Sequence, residues 1–238
     1  MEKAIFLFDY TGIMAKPWAD NGYICYCFDG QHEKGVSKSN HENILNVGMW
    51  FSNEITGDIS LLDVAKIKNI VGDECSFVFG FPECTDLAVS GAAHFAKKRD
   101  KNPFFQDEAM VLVKLVKLVA DVYNCPYGIE NPVSVISSLW RKPDHKFHPY
   151  EYGGYLPEDD EHPAYPGYIK PRDAYPKKTC IWSGNGFVMP EKKPVYVEPG
   201  YSEQHNKLGG KSLKTKNIRS ATPRGFAKAA FLANSPQN

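Results

Sequence analysis

The stretch AIFLFDYTGIMAKPWADNGYICYCFD, residues Ala4 to Asp29, decides the fold. Ala4 to Phe8 is a short apolar run of the length a buried strand takes. It runs straight into Asp9-Tyr10-Thr11-Gly12, and then into a helix through Pro17 and Trp18 to about Asp20. Gly22 closes that helix, because glycine accepts the left-handed conformation required there. Tyr23 to Phe28 reads as a second strand, ended by Asp29. Strand, turn, helix, strand and terminal acid, in that order, open a nucleotide-type βαβ unit.

Working outward, Gly30 to Glu42 is polar and expected as loop, and a third strand should end near Gly57-Asp58. Leu61 to Ile70 is helical by spacing. Cys75 to Phe81 is almost uniformly apolar, as a central parallel strand is. Phe104 to Tyr123 is a strong helix with one wet edge at Lys114, Lys117 and Asp121. Tyr127 to Glu130 makes a fifth strand, and Pro132 is placed to open a helix over Val133 to Leu139. The alternation predicts an α/β fold: a Rossmann-like, mostly parallel sheet with helices on both faces. Beyond Arg141 the character changes. Tyr150 to Pro176 is dense in Tyr, Pro, Gly and acids, with Glu158-Asp159-Asp160-Glu161 at its centre, and reads as a long ordered insertion. Lys178 to Ser183 suits a strand. Lys207 to Lys228 holds seven basic residues and no acid, and within it Thr222-Pro223 starts a closing helix to about Ala233. The expected organisation is a core over 1–145, a loop-rich insertion over 146–206 suited to substrate recognition, and a basic segment with a returning helix over 207–238.

A chain of 238 residues suits one domain with a sizeable core. A net charge of +0 excludes a global field toward nucleic acid, but not a local basic patch. The longest apolar segment, Met110 to Val122, is interrupted by Lys114, Lys117 and Asp121, so it is a packed helix and no membrane span. No signal peptide is evident at the start. Six cysteines at this length make a poor disulfide scaffold, so reduced thiols and a cytoplasmic location are expected.

Two short words carry chemistry: FPECTDLAVSG (Phe81 to Gly91) and IENP (Ile129 to Pro132). Each follows a buried strand, and residues just past parallel strand ends line the crevice of an open α/β sheet. Cys84 is a candidate nucleophile there; its alternative is a buried structural cysteine. Glu130 stands where partial desolvation would raise its pKa and favour a proton-donating form; its alternative is a helix cap. Asp9, Asp29 and Asp58 follow at three successive expected strand ends. Asp9 would repel a phosphate and suits a cofactor ammonium group. Asp29 suits a ribose diol, and Asp58 an adenine amino group. Singly each reads as a cap or a solvated acid; as an ordered set they read as a cofactor site. His94, His145 and His148 lack a partner set for a metal, so no metal is expected.

These motifs resemble the DNA (cytosine-5) methyltransferase superfamily, in particular its compact phage and prophage branch. The resemblance runs from FDYTGIMAKPWADNGY through FPECTDLAVSGAAHF, IENPVSVISSLWRKPDHKFHP and KKTCIWSGNGF to RSATPRGFAKA. It implies an S-adenosylmethionine-dependent methyltransferase fold, and the host cytoplasm as location. It implies that Cys84 adds to carbon 6 of cytosine, that Glu130 grips the ring edge and protonates N3, and that carbon 5 takes the methyl group of S-adenosyl-L-methionine. In duplex DNA the base must first leave the stack. Asp9, Tyr10, Thr11, Gly12, Asp29, Asp58 and Pro82 fall where the family binds its cofactor, with Ser220 and Thr222 a looser match in the closing segment. Asn131, Arg141 and Lys178 are the implied substrate contacts, with Lys177 an alternative. The chain departs from the family at Glu83, where a proline is usual, in its single glycine at the first turn, and in lacking a large target-recognition domain.

Overall fold

The computed structural model describes residues 1–200, 207–209 and 212–235, without the side chains of 57–59. Seven strands form one sheet: β1 (Lys3–Leu7), β2 (Ile24–Lys38), β3 (Ile44–Gly48), β4 (Phe77–Gly80), β5 (Tyr127–Pro132), β6 (His145–Phe147) and β7 (Thr179–Gly184). Their spatial order is β3-β2-β1-β4-β5-β7-β6. β1 pairs in parallel with β2 and β4, and β4 with β5. β7 runs antiparallel to both β5 and β6. The fold is therefore α/β with a mostly parallel sheet, compatible with a Rossmann-like architecture.

Alternation along β1 builds two cores. Ile5 and Leu7 point to one face, with Val64, Ile67 and Val71 of α2 (Gly57–Val71) and Val113, Val116 and Val119 of α4 (Phe105–Tyr123). Ala4 and Phe6 point to the other, with Trp18 of α1 (Lys16–Asp20). The remaining described helices are α3 (Phe95–Lys101), α5 (Ile136–Leu139), α6 (Leu213–Ser220) and α7 (Arg224–Asn234). α7 completes the second face through Phe226, Ala227 and Ala230, with Phe226 stacked on Phe147 at 4.3 Å. Burying a ring of that size contributes roughly 1.5–3 kcal/mol, so the C-terminal helix is a layer of the core. Among the described residues no helix is long and apolar enough to cross a membrane.

Three expectations are corrected. Gly30 to Lys38 is strand, because the chain doubles back along β3: Val36 faces Val47, Ser37 faces Asn46 and Lys38 faces Leu45. Its polar residues are those of an exposed sheet edge, where charge discourages further pairing. The third strand ends at Gly48, and Gly57 and Asp58 lie instead in the first turn of α2. Pro132 ends β5 rather than opening a helix. The next residues pair with the segment after β4, Val89 N donating to Val133 O (3.0 Å) and Val135 N to Leu87 O (2.9 Å), which delays α5 to Ile136. The expected insertion is ordered by two 3-10 turns, Pro149–Tyr155 and Pro171–Asp173, and has no strand between them.

Candidate active site

Strand order reverses between β1 and β4, with β2 and β3 on one side and β5 on the other. Ligands of open α/β sheets bind outside the carboxyl ends of strands at such a switch point. Four segments emerge there: Phe8 to Gly12 after β1, Asp29 in β2, Phe81 to Thr85 after β4, and the end of β5.

The β1 turn is built on Asp9. Its Oδ1 accepts from the backbone N–H groups of Thr11 (3.1 Å) and Gly12 (2.8 Å) and from the Thr11 hydroxyl (3.1 Å). Gly12 has φ +66°, a conformation glycine adopts without strain. Phe8, at φ 59°, adopts it with a ring that meets Phe51 edge-on at 5.2 Å. The N–H donors of this turn are thus already used, and no free backbone cradle for an anion remains at Thr11 and Gly12. Asp9 Oδ2 is buried and has no hydrogen-bond partner. Burial, followed by the field of Asp29, pushes its pKa up to about 6 against the turn's hydrogen bonds. Asp29 is half-buried, holds the Gln31 N–H (2.8 Å), and is itself raised, chiefly by burial. Tyr10 is stacked on His32 at 5.2 Å.

Cys84 is half-buried in the loop after β4. The path of that loop is fixed from two directions. Cys84 O accepts from Leu87 N (3.0 Å) and Ala88 N (2.8 Å), and Ala88 bridges Ser134 beyond β5. Asn131 Nδ2 donates to Pro82 O (2.9 Å). Cys84 and Glu130 are therefore carried by two segments bonded to each other. Glu130 Oε1 is buried without a partner. Burial raises the Glu130 pKa and Lys177 lowers it. For Cys84, burial first and then Glu130 raise the thiol, Lys177 opposes them, and Glu83 adds a smaller upward push. Thiol, carboxyl and ammonium groups thus act on one another at one place. The thiol rests protonated. Glu83 itself turns to solvent, where its carboxylate accepts from the Thr85 hydroxyl (2.7 Å) and lies 3.8 Å from Lys216.

Some expected contacts lie elsewhere. Asn131 is only 1% exposed; its Nδ2 holds the Pro82 carbonyl and so positions the loop, while its Oδ1 is buried without a partner. Arg141 is spent on Asp144, through Nη1 at 2.7 and 2.6 Å, and on Ser183 O (2.9 Å). Ser183 pairs with Gly128, near the start of β5, so Arg141 is at the end of the sheet away from Glu130. Lys178 is exposed, whereas its neighbour Lys177 is the lysine whose charge reaches both Cys84 and Glu130. The Asp58 side chain lies outside the described residues. Ser220 is exposed in the last turn of α6, its hydroxyl bonded to Asn217 O (3.4 Å), and Thr222 is buried just beyond. Pro82 is buried, and its carbonyl serves Asn131.

Sequence reasoning missed two neighbours of the crevice. Trp50, 79% exposed beyond β3, lays its ring where a side chain on Gly30 would fall, 2.2 Å from the ideal Cβ position. The glycine just after Asp29 was the available signal. Helix α6 is the second: Asn217 Nδ2 donates to Gln31 Oε1 (3.4 Å), and Lys177 Nζ donates to Arg219 O (2.9 Å). Among the described residues no group of His, Cys, Asp and Glu is arranged to hold a metal ion. No family model matches the chain, and no curated protein matches it.

Proposed function

We propose that this protein is an S-adenosylmethionine-dependent methyltransferase that acts on carbon 5 of cytosine in DNA, through a covalent bond to Cys84. The observation that carries the reading is that Cys84 after β4 and Glu130 in β5 are carried by segments bonded to each other at the switch-point crevice, where the charge of Lys177 acts on both. The strand order, with β7 antiparallel between β5 and β6, supports a methyltransferase-type Rossmann sheet. Six free cysteines suit a reducing, cytoplasmic location.

The donor set fits the cofactor in charge. Asp9 keeps a buried, unpartnered carboxylate oxygen, and Asp29 stands beside it, so this part of the crevice favours a cation over a phosphate. Asp9 and Asp29 would hold the cofactor's ammonium group and ribose hydroxyls, with Trp50 offering a flat apolar face nearby. When bound, S-adenosylmethionine supplies an electrophilic methyl group.

The chain's own residues do the rest. The Cys84 thiol gives its proton to solvent, and the resulting thiolate Sγ bonds to carbon 6 of the cytosine ring. Glu130, whose burial favours the protonated form, gives its proton to N3, which receives the displaced electron pair and leaves carbon 5 electron-rich. After methylation, carbon 5 loses its proton to solvent, those electrons re-form the C5–C6 double bond as the Sγ–C6 bond breaks, the departing thiolate takes up a proton from solvent, and N3 returns its proton to Glu130. General acid catalysis of this kind contributes typically 10²–10⁴-fold, and the covalent step divides one hard substitution into easier ones. Asn131 holds the two catalytic segments in register.

The test is transfer of labelled methyl from the donor to cytosine-containing DNA. Transfer is expected with the native protein and lost in Cys84→Ala; Glu130→Gln should reduce it by about 10²–10⁴-fold. DNA carrying 5-fluorocytosine should trap an adduct whose mass maps to Cys84, because fluorine cannot leave as a proton does. Label confined to free deoxycytidine nucleotide would move the substrate from DNA to the nucleotide. Donor binding with neither transfer nor adduct would make the protein a silent relative of such enzymes, the outcome that the raised Cys84 pKa and Glu83 would then explain.

A further inference from the structure

We infer that helix α6 is a docking surface for the phosphodiester backbone of a nucleic acid and holds the strand across the Cys84 crevice. The inference rests on the cytosine-modifying reading above and selects a polymer over a free nucleotide. Charge separation is the first observation. Every acidic residue lies at or before Glu203, while seven basic residues and no acid follow it. The neutral balance of the chain conceals a cationic segment folded back against an acidic body.

Placement is the second observation. Thr215 and Ile218 are the buried residues of α6. Ile218 packs with Ile169, Leu208 and Ala221, and partly buried Ile13 from the β1 turn leans on that cluster. Lys214, Lys216 and Arg219 remain exposed. The helix is fixed at the crevice by Asn217 on Gln31 (3.4 Å) and by Lys177 on Arg219 O (2.9 Å). Lys216 lies 3.8 Å from Glu83, the residue next to Cys84. That pair is long and exposed, so exchanging it for a phosphate costs little. Arg224 takes no part, because its guanidinium is paired with Asp160.

Acids and lysines thus both border the crevice: Asp9 and Asp29 at the ends of β1 and β2, Lys177 just before β7, and Lys214 and Lys216 on α6, which bridges from Gln31 to Glu83. A polyanion is attracted to the exposed lysines of α6 and repelled by the two aspartates. Eight residues of helix span about 12 Å, and B-DNA carries a phosphate every 3.4 Å or so per strand. Cations spread over that length match a repeating charge better than a single phosphate group.

Binding of a cytosine-containing oligodeoxynucleotide, measured as a function of salt, tests this. Each lost phosphate contact should lower the log–log salt slope by about 0.7–0.9. The double variant Lys214→Gln/Lys216→Gln, which retains the Arg219 bond to Leu208 O, should lose one to two such contacts. Its oligonucleotide affinity should fall about tenfold at moderate salt, while deoxycytidine monophosphate binding and the far-ultraviolet spectrum stay as in the native protein. Absence of oligonucleotide binding by the native protein, an unchanged slope in the variant, or an effect confined to phosphatidylserine vesicles would each overturn the inference. The catalytic reading fails separately: a slope that responds to the double variant, without any fluorocytosine adduct at Cys84, leaves the surface standing and removes the methyltransferase.

Discussion

Cys84 sits between opposed fields, and its reactivity is the balance of two neighbours. Burial and an ionised Glu130 hold the thiol up, and Lys177 pulls it down. Because burial also raises Glu130 itself, a protonated Glu130 both relieves the thiol and stands ready to donate. The acid form needed for N3 is thus the form that least opposes thiolate formation. Two substitutions separate these effects by sign. Lys177→Met removes the cation that favours both charged forms, so the midpoint for alkylation of Cys84 by iodoacetamide should move to higher pH. Glu130→Gln removes the opposing charge, so the same midpoint should move lower. Peptide-resolved mass spectrometry isolates Cys84 from Cys25, Cys27, Cys125 and Cys180, which are buried, and from half-buried Cys75. Identical midpoints in both variants would break the electrostatic account of the site, and Lys177→Arg should behave as the native protein does.

At the scale of elements, the sheet edge depends on a backbone approach that only glycine permits. An ideal Cβ on Gly48 would lie 1.9 Å from Glu33 O and 2.7 Å from His32 O. Neither atom belongs to a movable side chain, so Gly48→Ala must displace the returning part of β2 from β3. Overpacking of this kind costs about 1–3 kcal/mol, readable as a lowered urea midpoint; an unfolding free energy within about 0.5 kcal/mol of the native value would mean that the edge gives way freely. The same segment shows what the sequence displayed and what it hid. β1, β4, α4 and β5 were legible because burial on both faces, or on one helical stripe, writes a continuous or 3.6-residue apolar pattern. Gly30 to Lys38 was hidden because an exposed edge strand carries the composition of a loop. Cys84 and Glu130 drew attention because each stands at the end of an apolar run; Cys84 lies just past β4, whereas Glu130 lies within β5, which runs on to Pro132. Helix α6 was visible only as charge: its contacts to Gln31, Glu83 and Lys177 join residues distant in the chain, and no local pattern encodes them.

For the molecule as a whole, the loop-rich segment must be held against the sheet without strands of its own. Arg224, opening α7, grips Asp160 with Nη1–Oδ1 at 2.8 Å and Nη2–Oδ2 at 2.6 Å. Asp173 Oδ2 accepts the Gly225 N–H at 2.8 Å, while its Oδ1 is buried without a partner. Arg172 and Asp173 both adopt positive φ, 54° and 49°, to bring that carboxyl into place. Burial, opposed by the Gly225 N–H and by Arg224, pushes Asp173 from 3.8 up to about 6. The folded state therefore binds this proton more tightly than the unfolded chain does. The contribution is complete below pH 3.8 and is lost as pH rises through about 6. Asp9, also raised to about 6, acts in the same direction. His162 acts in the other: burial, then Arg224, lowers it from 6.5 to about 4, so its contribution is complete above pH 6.5 and fades as pH falls toward 4. Between these limits two raised carboxyls outweigh one lowered imidazole, so these three groups together should make native stability fall by about 1 kcal/mol from pH 4.5 to 6.5. Asp173→Asn removes one of the two carboxyls, worth at most about 3 kcal/mol at 1.36 kcal/mol per pH unit, and leaves Asp9 against His162, so its profile should be nearly flat across that range. His162→Gln removes the opposing group and should steepen the fall. Urea unfolding at pH 4.5 and 6.5 measures both slopes, and parallel pH profiles for the native protein and the two variants would show that the clamp titrates no differently folded than unfolded.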